Sequence, residues 1–145
     1  MFYFAYGGNT NPFHIAKHYP NIKLIGKGYI KDYKLVFRKS QYLNNSYCDI
    51  ERDIGSLVYG VIYSVEQEDI DNFDIQEYVD VVYERVKIDV MLEDDIVYSS
   101  WIYTMINKED PYEYPSQRYY KLVSVGYKTN MIPYKQLIDA INLIN

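Results

Sequence analysis

The start of the chain constrains the fold more than any other segment. Five residues rich in aromatic side chains, Phe2–Tyr6, are followed at once by the pair Gly7-Gly8. Aromatic residues favour β-strands, and glycine adopts backbone angles that other residues avoid. After Asn9 comes Thr10-Asn11-Pro12, which is typical of a helix start with a capping side chain and proline at the first helical position. We therefore predict a strand, a tight turn and a helix that begins at Pro12 and ends before Pro20.

The remainder of the chain alternates β-rich segments with shorter helical ones. The clearest strand is Glu84–Val90, where apolar residues alternate with charged ones and give one buried and one solvent-facing side. In another strand, Gly60 indicates a bulge or a close backbone contact. Gly126 is predicted to end a helix that Ser116 caps. Strands are predicted at residues 22–37 (one bent strand or two), 57–65, 84–90 and 96–105, a polar loop at 41–46, and helices at 66–73, 116–126 and around 137–144.

Length and composition predict a single domain, residues 1–145. The 48% share of apolar residues is enough for a core. A net charge of -5 disfavours nucleic-acid binding, and no apolar run approaches the roughly 20 residues that cross a membrane. The N-terminus lacks the pattern of a signal peptide. Cys48 is the one cysteine, so no internal disulfide can form, which suits a reducing compartment. We expect a cytoplasmic protein that binds neither nucleic acid nor membrane.

Five blocks of sequence, in order, resemble those of the γ-glutamylcyclotransferase-like (AIG2-like) family. The opening FAYGGN is similar to the family's FAYGSN. The other blocks are YIKDYKLVFRKSQ, GSLVYGVIY, FDIQEYV, and PSQRYYKLVSVG followed by IPYKQLIDAI. Together they extend over nearly the whole chain. The resemblance implies an α+β fold, a compact mixed β-barrel or sheet flanked by helices, with no cofactor and no metal.

The same resemblance implies an activity and a set of site residues. The family releases 5-oxoproline from γ-glutamyl compounds, so a small γ-glutamyl molecule is the expected partner. The family's catalytic glutamate falls on Glu77, within FDIQEYV. The family's substrate-binding positions fall on Tyr6, Gly7, Gly8, Asn9 and Tyr119. Tyr120 is the alternative to Tyr119 if the helix is shifted by one residue.

Two positions depart from the family pattern. The serine of the opening loop is replaced by Gly8, which removes a hydroxyl. The glycine that follows the catalytic glutamate is replaced by Tyr78, which adds bulk and restricts the backbone. Both changes affect the expected substrate and the expected rate.

The residue types fit the chemistry that the resemblance implies. A γ-glutamyl amide cyclises when its own α-amine attacks its γ-carbonyl, so holding the folded conformer supplies much of the catalysis. One carboxylate, Glu77, can take the proton from the amine and then give it to the leaving nitrogen. An apolar pocket would raise its pKa toward the value that this task needs. Successive N–H groups of the Gly7-Gly8-Asn9 turn can bind a carboxylate or the oxyanion.

Other interpretations of the sequence remain open. A catalytically idle ligand-binding or protein-interaction module of the same fold is the main alternative, and a γ-glutamylamine cyclotransferase is a second one within enzymes. The oligomeric state is open between a monomer and a homodimer. His14 and His18 share a helix face, but a structural zinc site needs four ligands. Cys48 is more simply a buried, inert thiol than a nucleophile.

Overall fold

The computed structural model describes residues 1–144, which form a closed five-stranded barrel with four helices packed around it. The strand order in the barrel is β1-β3-β2-β4-β5. The α+β barrel that the sequence predicted is confirmed. The strands are β1 (Phe2–Ala5), β2 (Lys23–Ser40), β3 (Asn45–Ser64), β4 (Tyr83–Leu92) and β5 (Val97–Met105), and the helices are α1 (Pro12–His18), α2 (Gln67–Gln76), α3 (Gln117–Thr129) and α4 (Lys135–Asn142).

The long hairpin of β2 and β3 forms the largest part of the barrel. The two strands pair antiparallel from Lys23↔Ser64 to Ser40↔Asn45. The predicted polar loop at 41–46 extends too far, because Asn45 and Ser46 already belong to β3. Residues 47–54, for which no element was predicted, continue this strand, because their polar residues gain the strand conformation from pairing with β2. The hairpin bends where Gly55, with φ +91, donates its N–H to the Asp32 carboxylate at 3.0 Å. Glycine accepts this left-handed conformation without a steric penalty.

Strand β1 closes the barrel and brings its C-terminal end to the site. It pairs antiparallel with β3, from Phe2↔Ser64 to Ala5↔Val61, and parallel with β5 at Tyr3↔Trp101. A Cβ at position 60 would lie 2.2 Å from the Ala5 carbonyl oxygen. The close backbone contact predicted at Gly60 is therefore confirmed.

The helix starts follow the predicted capping residues. The Asn11 side chain accepts hydrogen bonds from the N–H groups of Phe13 and His14 (2.9 and 3.1 Å), and Ser116 accepts one from Tyr119 (3.1 Å). The predicted end of α3 at Gly126 is wrong. A Cβ there would lie 2.2 Å from Thr10 Oγ1, so this glycine serves close packing inside the helix.

The core fills the barrel and extends under the helices. Fully buried Phe4, Phe37 and Ile62 lie on three different strands. Each of the longer helices adds a buried apolar pair to this core: Ile70 and Phe73 in α2, Val123 and Tyr127 in α3, and Leu137 and Ala140 in α4. Within the described chain, none of the helices is both long and apolar enough to span a membrane.

A buried ionic cluster joins β2, β3 and β5. The carboxylate of Asp49, which is 0% exposed, accepts hydrogen bonds from Arg38 Nε at 3.1 Å and Lys108 Nζ at 3.0 Å. It also accepts one from the backbone N–H of Met105 at 2.8 Å. Arg38 Nη1 donates to the carbonyls of Lys108 and Asp110, both at 2.7 Å. The cluster therefore fixes three strands and the loop that leads toward α3.

Replacing Asp49 by alanine should cost about 3–5 kcal/mol of unfolding free energy, because Arg38 and Lys108 would lose the buried carboxylate that they share. Within residues 1–144, Arg38 would keep only Glu51 as a carboxylate partner. The matched control is Glu93→Ala, which removes the exposed ion pair between Lys27 and Glu93 (3.2 Å). That change should cost less than about 1 kcal/mol. Urea unfolding measures both values, and equal losses for the two variants would contradict the structural role of Asp49.

Candidate active site

All six residues singled out in the sequence line one cavity of about 480 Å³. This volume lies within the roughly 300–1,000 Å³ of small-molecule sites. The cavity lies between the turn that follows β1, the end of α2 and the first half of α3. Tyr120, the alternative to Tyr119, does not line it, and its hydroxyl lies 3.4 Å from that of Tyr134 instead. The six residues are Tyr6, Gly7, Gly8, Asn9, Glu77 and Tyr119.

Glu77 is positioned by the end of helix α2. It follows the last helical residue, and its N–H donates to the Phe73 carbonyl at 2.8 Å. Phe73 is fully buried and anchors the helix on the barrel. The Asp74 carboxylate accepts a hydrogen bond from the Tyr103 hydroxyl at 2.7 Å and contacts Arg85 Nε at 3.0 Å. These contacts fix the last turn of α2 and therefore the position of the Glu77 carboxylate.

The surroundings of Glu77 favour its neutral form. The Glu77 side chain is half-buried among protein atoms, and the resulting desolvation of its carboxyl group raises its pKa to about 7. A hydrogen bond from Gln76 Nε2 (3.4 Å) opposes the rise. Among the residues 1–144 that line the cavity, Glu77 is the one carboxylate, and none is lysine or arginine. A carboxyl group with a pKa near 7 can both accept and donate a proton at neutral pH.

The loop after β1 forms a single 3₁₀ turn, Gly8–Thr10. The N–H and hydroxyl of Thr10 both donate to the Gly7 carbonyl, at 3.0 and 2.7 Å. Gly8 and Asn9 begin the turn, so their N–H groups have no acceptor within it. A Cβ at position 7 would lie 2.9 Å from Cys48 Cβ, so the loop can pack here only with glycine. Gly8 and Asn9 both line the cavity, so their N–H groups are the candidate backbone donors for a bound anion.

The side chains of Tyr6 and Asn9 hold the loop in place. The Tyr6 hydroxyl donates to the Tyr103 carbonyl at 2.5 Å. Asn9 Nδ2 donates to the Tyr3 hydroxyl at 2.9 Å, and the Asn9 carbonyl accepts a hydrogen bond from Tyr63 at 2.7 Å. Because these polar atoms already have partners, the backbone of the loop is the better candidate for contact with a ligand.

Tyr119 faces the same loop from helix α3. Its hydroxyl accepts a hydrogen bond from the Cys48 N–H at 3.2 Å, and the ring of Tyr47 packs edge-on against it with centroids 5.1 Å apart. Burial raises the pKa of the Cys48 thiol to about 12. The thiol therefore stays protonated at neutral pH and is a poor nucleophile.

The two histidines lie at the edge of the cavity. The rings of His14 and His18 are 4.7 Å apart between centroids, and burial, followed by the charges of His18 and Lys17, lowers the pKa of His14. Across residues 1–144, no group of three or more histidine, cysteine, aspartate or glutamate side chains is arranged to hold a metal ion.

Comparison with known proteins identifies the family. A family model described as "Gamma-glutamyl cyclotransferase, AIG2-like" matches residues 3–121, which include all six of the residues above. The chain belongs to this family. A human protein named γ-glutamylcyclotransferase is 27% identical over 147 residues, which cover 96% of this chain and 77% of the human protein.

Solved structures show the same cyclotransferase fold. One described as "Gamma-glutamyl cyclotransferase" superposes with a TM-score of 0.85 at 24% sequence identity. The superposed region covers 100% of this chain and 88% of the chain in that structure. YkqA from Bacillus subtilis gives a TM-score of 0.85 at 22% identity, with 99% of this chain covered and 55% of YkqA. At these identities, the likeness supports the fold alone.

The two departures from the family pattern have different structural consequences. A Cβ at Gly8 would lie 3.2 Å from Leu122 Cδ2, the end of a flexible side chain, so the backbone of this chain would still accept the family's serine. Tyr78 has φ +48, in the left-handed region that favours glycine. The tyrosine ring packs against Tyr42 with centroids 6.0 Å apart. At the position where the family has glycine, Tyr78 therefore lines the cavity beside Glu77 with an aromatic ring, and its backbone is strained.

Sequence reasoning did not identify Gln76 as a site residue. Its side chain accepts a hydrogen bond from the Tyr19 hydroxyl, and its Nε2 atom lies 3.5 Å from Asn9 Oδ1 and 3.4 Å from Glu77 Oε1. It therefore connects α1, the loop after β1 and the candidate acid. The one available signal was its position directly before Glu77.

Tyr78→Gly should be more stable than Tyr78→Ala by about 1 kcal/mol. Both variants lose the aromatic ring, but only glycine can adopt the left-handed backbone conformation without a steric penalty. Urea unfolding of the two variants isolates this backbone effect. Equal stability, or a more stable alanine variant, would contradict the backbone conformation assigned to this position.

Glu77→Gln should raise stability at high pH. The carboxyl group titrates at about 4.5 when unfolded and at about 7 when folded, so the folded state binds more protons between these values. Stability therefore falls as the pH rises from 4.5 through 7, and a neutral glutamine avoids this loss. Titration at about 7 rather than 4.5 corresponds to about 3 kcal/mol at pH 8, and partial solvent screening of the half-buried carboxyl group should reduce the observed gain of the variant to about 1–2 kcal/mol. The difference should shrink toward zero below pH 4.5, and a difference independent of pH would argue against a raised pKa.

Proposed function

We propose that this chain is a γ-glutamylcyclotransferase that releases 5-oxoproline and a free amine from γ-glutamyl compounds. The observation that carries the proposal is the cavity in which Glu77, with its raised pKa, lies together with the Gly7-Gly8-Asn9 turn. The name of the human relative and membership of the family support the same activity. The reaction needs no water and no cofactor, because the attacking amine and the carbonyl belong to one molecule.

In the proposed reaction, the substrate's α-nitrogen forms a bond to its γ-carbonyl carbon, and the bond from that carbon to the leaving nitrogen breaks. Glu77 takes the proton that the α-amine loses and returns it to the leaving nitrogen. Because the pKa of Glu77 is about 7, both its ionised and its protonated forms are accessible at neutral pH, so the same carboxyl group can accept the proton and then donate it.

The charges that line the cavity support Glu77 as the partner of the substrate's amine and the loop after β1 as the partner of its anionic groups. Because no lysine or arginine lines the described cavity, the substrate's own ammonium group is the natural counter-ion for Glu77. The N–H groups of Gly8 and Asn9 are suited to the α-carboxylate or to the oxyanion that forms on the γ-carbonyl. The hydroxyl of Tyr119, which lies beside Gly7, can donate a further hydrogen bond in the same region.

Glu77→Gln should lower kcat by about 10²–10⁴-fold, because the variant has no group that can carry the proton. The assay measures 5-oxoproline released from a panel of γ-glutamyl amino acids, γ-glutamyl peptides and a γ-glutamyl-lysine isopeptide. The matched control is Glu68→Gln, the same chemical change at an exposed residue of α2. Wild-type kcat/KM should rise with pH up to about 7, where Glu77 becomes ionised.

Three outcomes discriminate between the candidate functions. Product from γ-glutamyl amino acids or peptides that is lost in Glu77→Gln and kept in Glu68→Gln supports the proposal. Product from the isopeptide alone would favour a γ-glutamylamine cyclotransferase. No product from any compound, with the protein folded, would favour the idle module of the same fold.

A further inference from the structure

A second cavity, of about 800 Å³, adjoins the candidate active site. The two cavities share the side chains of Tyr119, Leu122 and Tyr47 and the histidines of α1. A chain that leaves the first cavity past Tyr119 and Leu122 therefore enters the second directly. We call this second cavity the basic cleft, after the three cationic residues that line it, Lys17, Arg118 and Lys121.

The basic cleft has the opposite charge to the protein as a whole. The chain has 20 acidic and 15 basic residues, yet no aspartate or glutamate lines the cleft within the described residues. All three cationic side chains are exposed. None of them has a carboxylate partner within 4.0 Å in residues 1–144, whereas seven other lysines and arginines do. The positive charge of the cleft is therefore uncompensated.

Helix stability does not explain the two cationic residues from α3. Arg118 is the second residue of α3, and Lys121 follows within the next turn. The N-terminal end of a helix carries positive partial charge, so acidic residues are favoured there and cationic ones are not. This first turn contains no acidic residue. Lys17, in contrast, lies in the last turn of α1, where a cation is favourable.

Ser116 and Arg118 both line the cleft, so the N-terminal end of α3 faces it. The positive end of this 13-residue helix and the side chains of Arg118 and Lys121 therefore act in the same direction. Burial lowers the pKa of His14, so the positive charge of the cleft comes mainly from the lysines and the arginine at neutral pH. The three cationic residues and the helix end favour a ligand with more than one negative charge.

We propose that the basic cleft binds the leaving part of an acidic γ-glutamyl peptide, in which the released amine carries two or more carboxylates. This inference rests on the proposed function, because it places the γ-glutamyl group beside Glu77 and the departing chain in the cleft. The cleft then determines specificity and takes no part in proton transfer. Lys17, Arg118 and Lys121 are the specificity-determining residues.

The test compares kcat/KM for three substrates in 50 mM NaCl. They are γ-glutamyl-leucinamide, whose leaving group has no carboxylate, γ-glutamyl-leucine, with one, and γ-glutamyl-glutamyl-glutamate, with three. We expect kcat/KM for the acidic peptide to exceed that for the leucinamide by about 10-fold, since exposed charge pairs contribute modestly and additively. The ratio should fall toward one in 500 mM NaCl because salt screens exposed charges.

The variants separate the cleft from the overall charge. In Lys17→Gln/Arg118→Gln/Lys121→Gln, the acidic-to-neutral ratio should fall from about 10 to about 1. The matched control, Lys23→Gln/Lys31→Gln/Lys128→Gln, removes the same charge from exposed residues that line neither cavity, and it should keep the ratio. No acidic preference in the wild type, or an equal loss in both triple variants, would overturn the inference while leaving the proposed function intact.

Absence of turnover on all three substrates would refute the proposed function but would still test the cleft. Calorimetric titration of the same acidic peptide into the wild type and both triple variants then decides. Binding that is weakened about 10-fold in the cleft variant alone supports the basic cleft as an acidic-peptide site. Binding that is absent in the wild type, or equal in all three proteins, overturns it.

Discussion

The buried carboxylate of Asp49 is the interaction on which the rest of the site depends. It holds Arg38 and Lys108 and accepts the N–H of Met105, so it joins three strands of the barrel. The preceding residue, Cys48, accepts a hydrogen bond from Tyr83 and donates one to Tyr119, and Gly7 packs against its Cβ atom. A shift at Asp49 would therefore reach both walls of the candidate active site. Such a buried ion pair gives little net stability, but losing one partner is costly.

The end of helix α2 combines two features that are unfavourable for folding. Glu77 is held in surroundings that disfavour its charge, and Tyr78 has a left-handed backbone that glycine would adopt more easily. Strained backbone and perturbed carboxyl groups both concentrate at functional sites, where the surrounding structure maintains them. The buried Phe73 and the contacts of Asp74 supply this support from the preceding turn. The proposed acid, Glu77, is thus fixed by the end of a helix rather than by a long loop.

Local sequence signals predicted the parts of the fold that local forces determine. The caps at Asn11 and Ser116 and the strands predicted at 84–90 and 96–105 follow from neighbouring residues, and all are present. The first half of β3 could not be predicted, because its polar residues become a strand only through pairing with β2. Gly126 was misassigned as a helix end because its contact with Thr10 joins residues far apart in sequence.

The same distinction applies to the site. The family resemblance supplied Glu77, Tyr119 and the residues of the opening loop, and the structure brings these together in one cavity. The bridging role of Gln76 and the basic cleft depend on side chains from α1, α2 and α3 that meet only in the folded chain. No spacing in the sequence brings Lys17 close to Arg118, so their shared cleft becomes visible only in three dimensions.

The most direct test of the account is the pKa of Glu77 itself, because every role assigned to this residue follows from the surroundings of its carboxyl group. Carbon-13 NMR of the glutamate side chains, with Glu77→Gln to assign the signal, measures this value in the folded protein. The account predicts titration near pH 7. It also predicts that a bound, unreactive γ-glutamyl analogue with a free ammonium group will lower that value, because an adjacent positive charge favours the carboxylate. Titration near the ordinary glutamate value of about 4.3, unaffected by the analogue, would contradict the central claim.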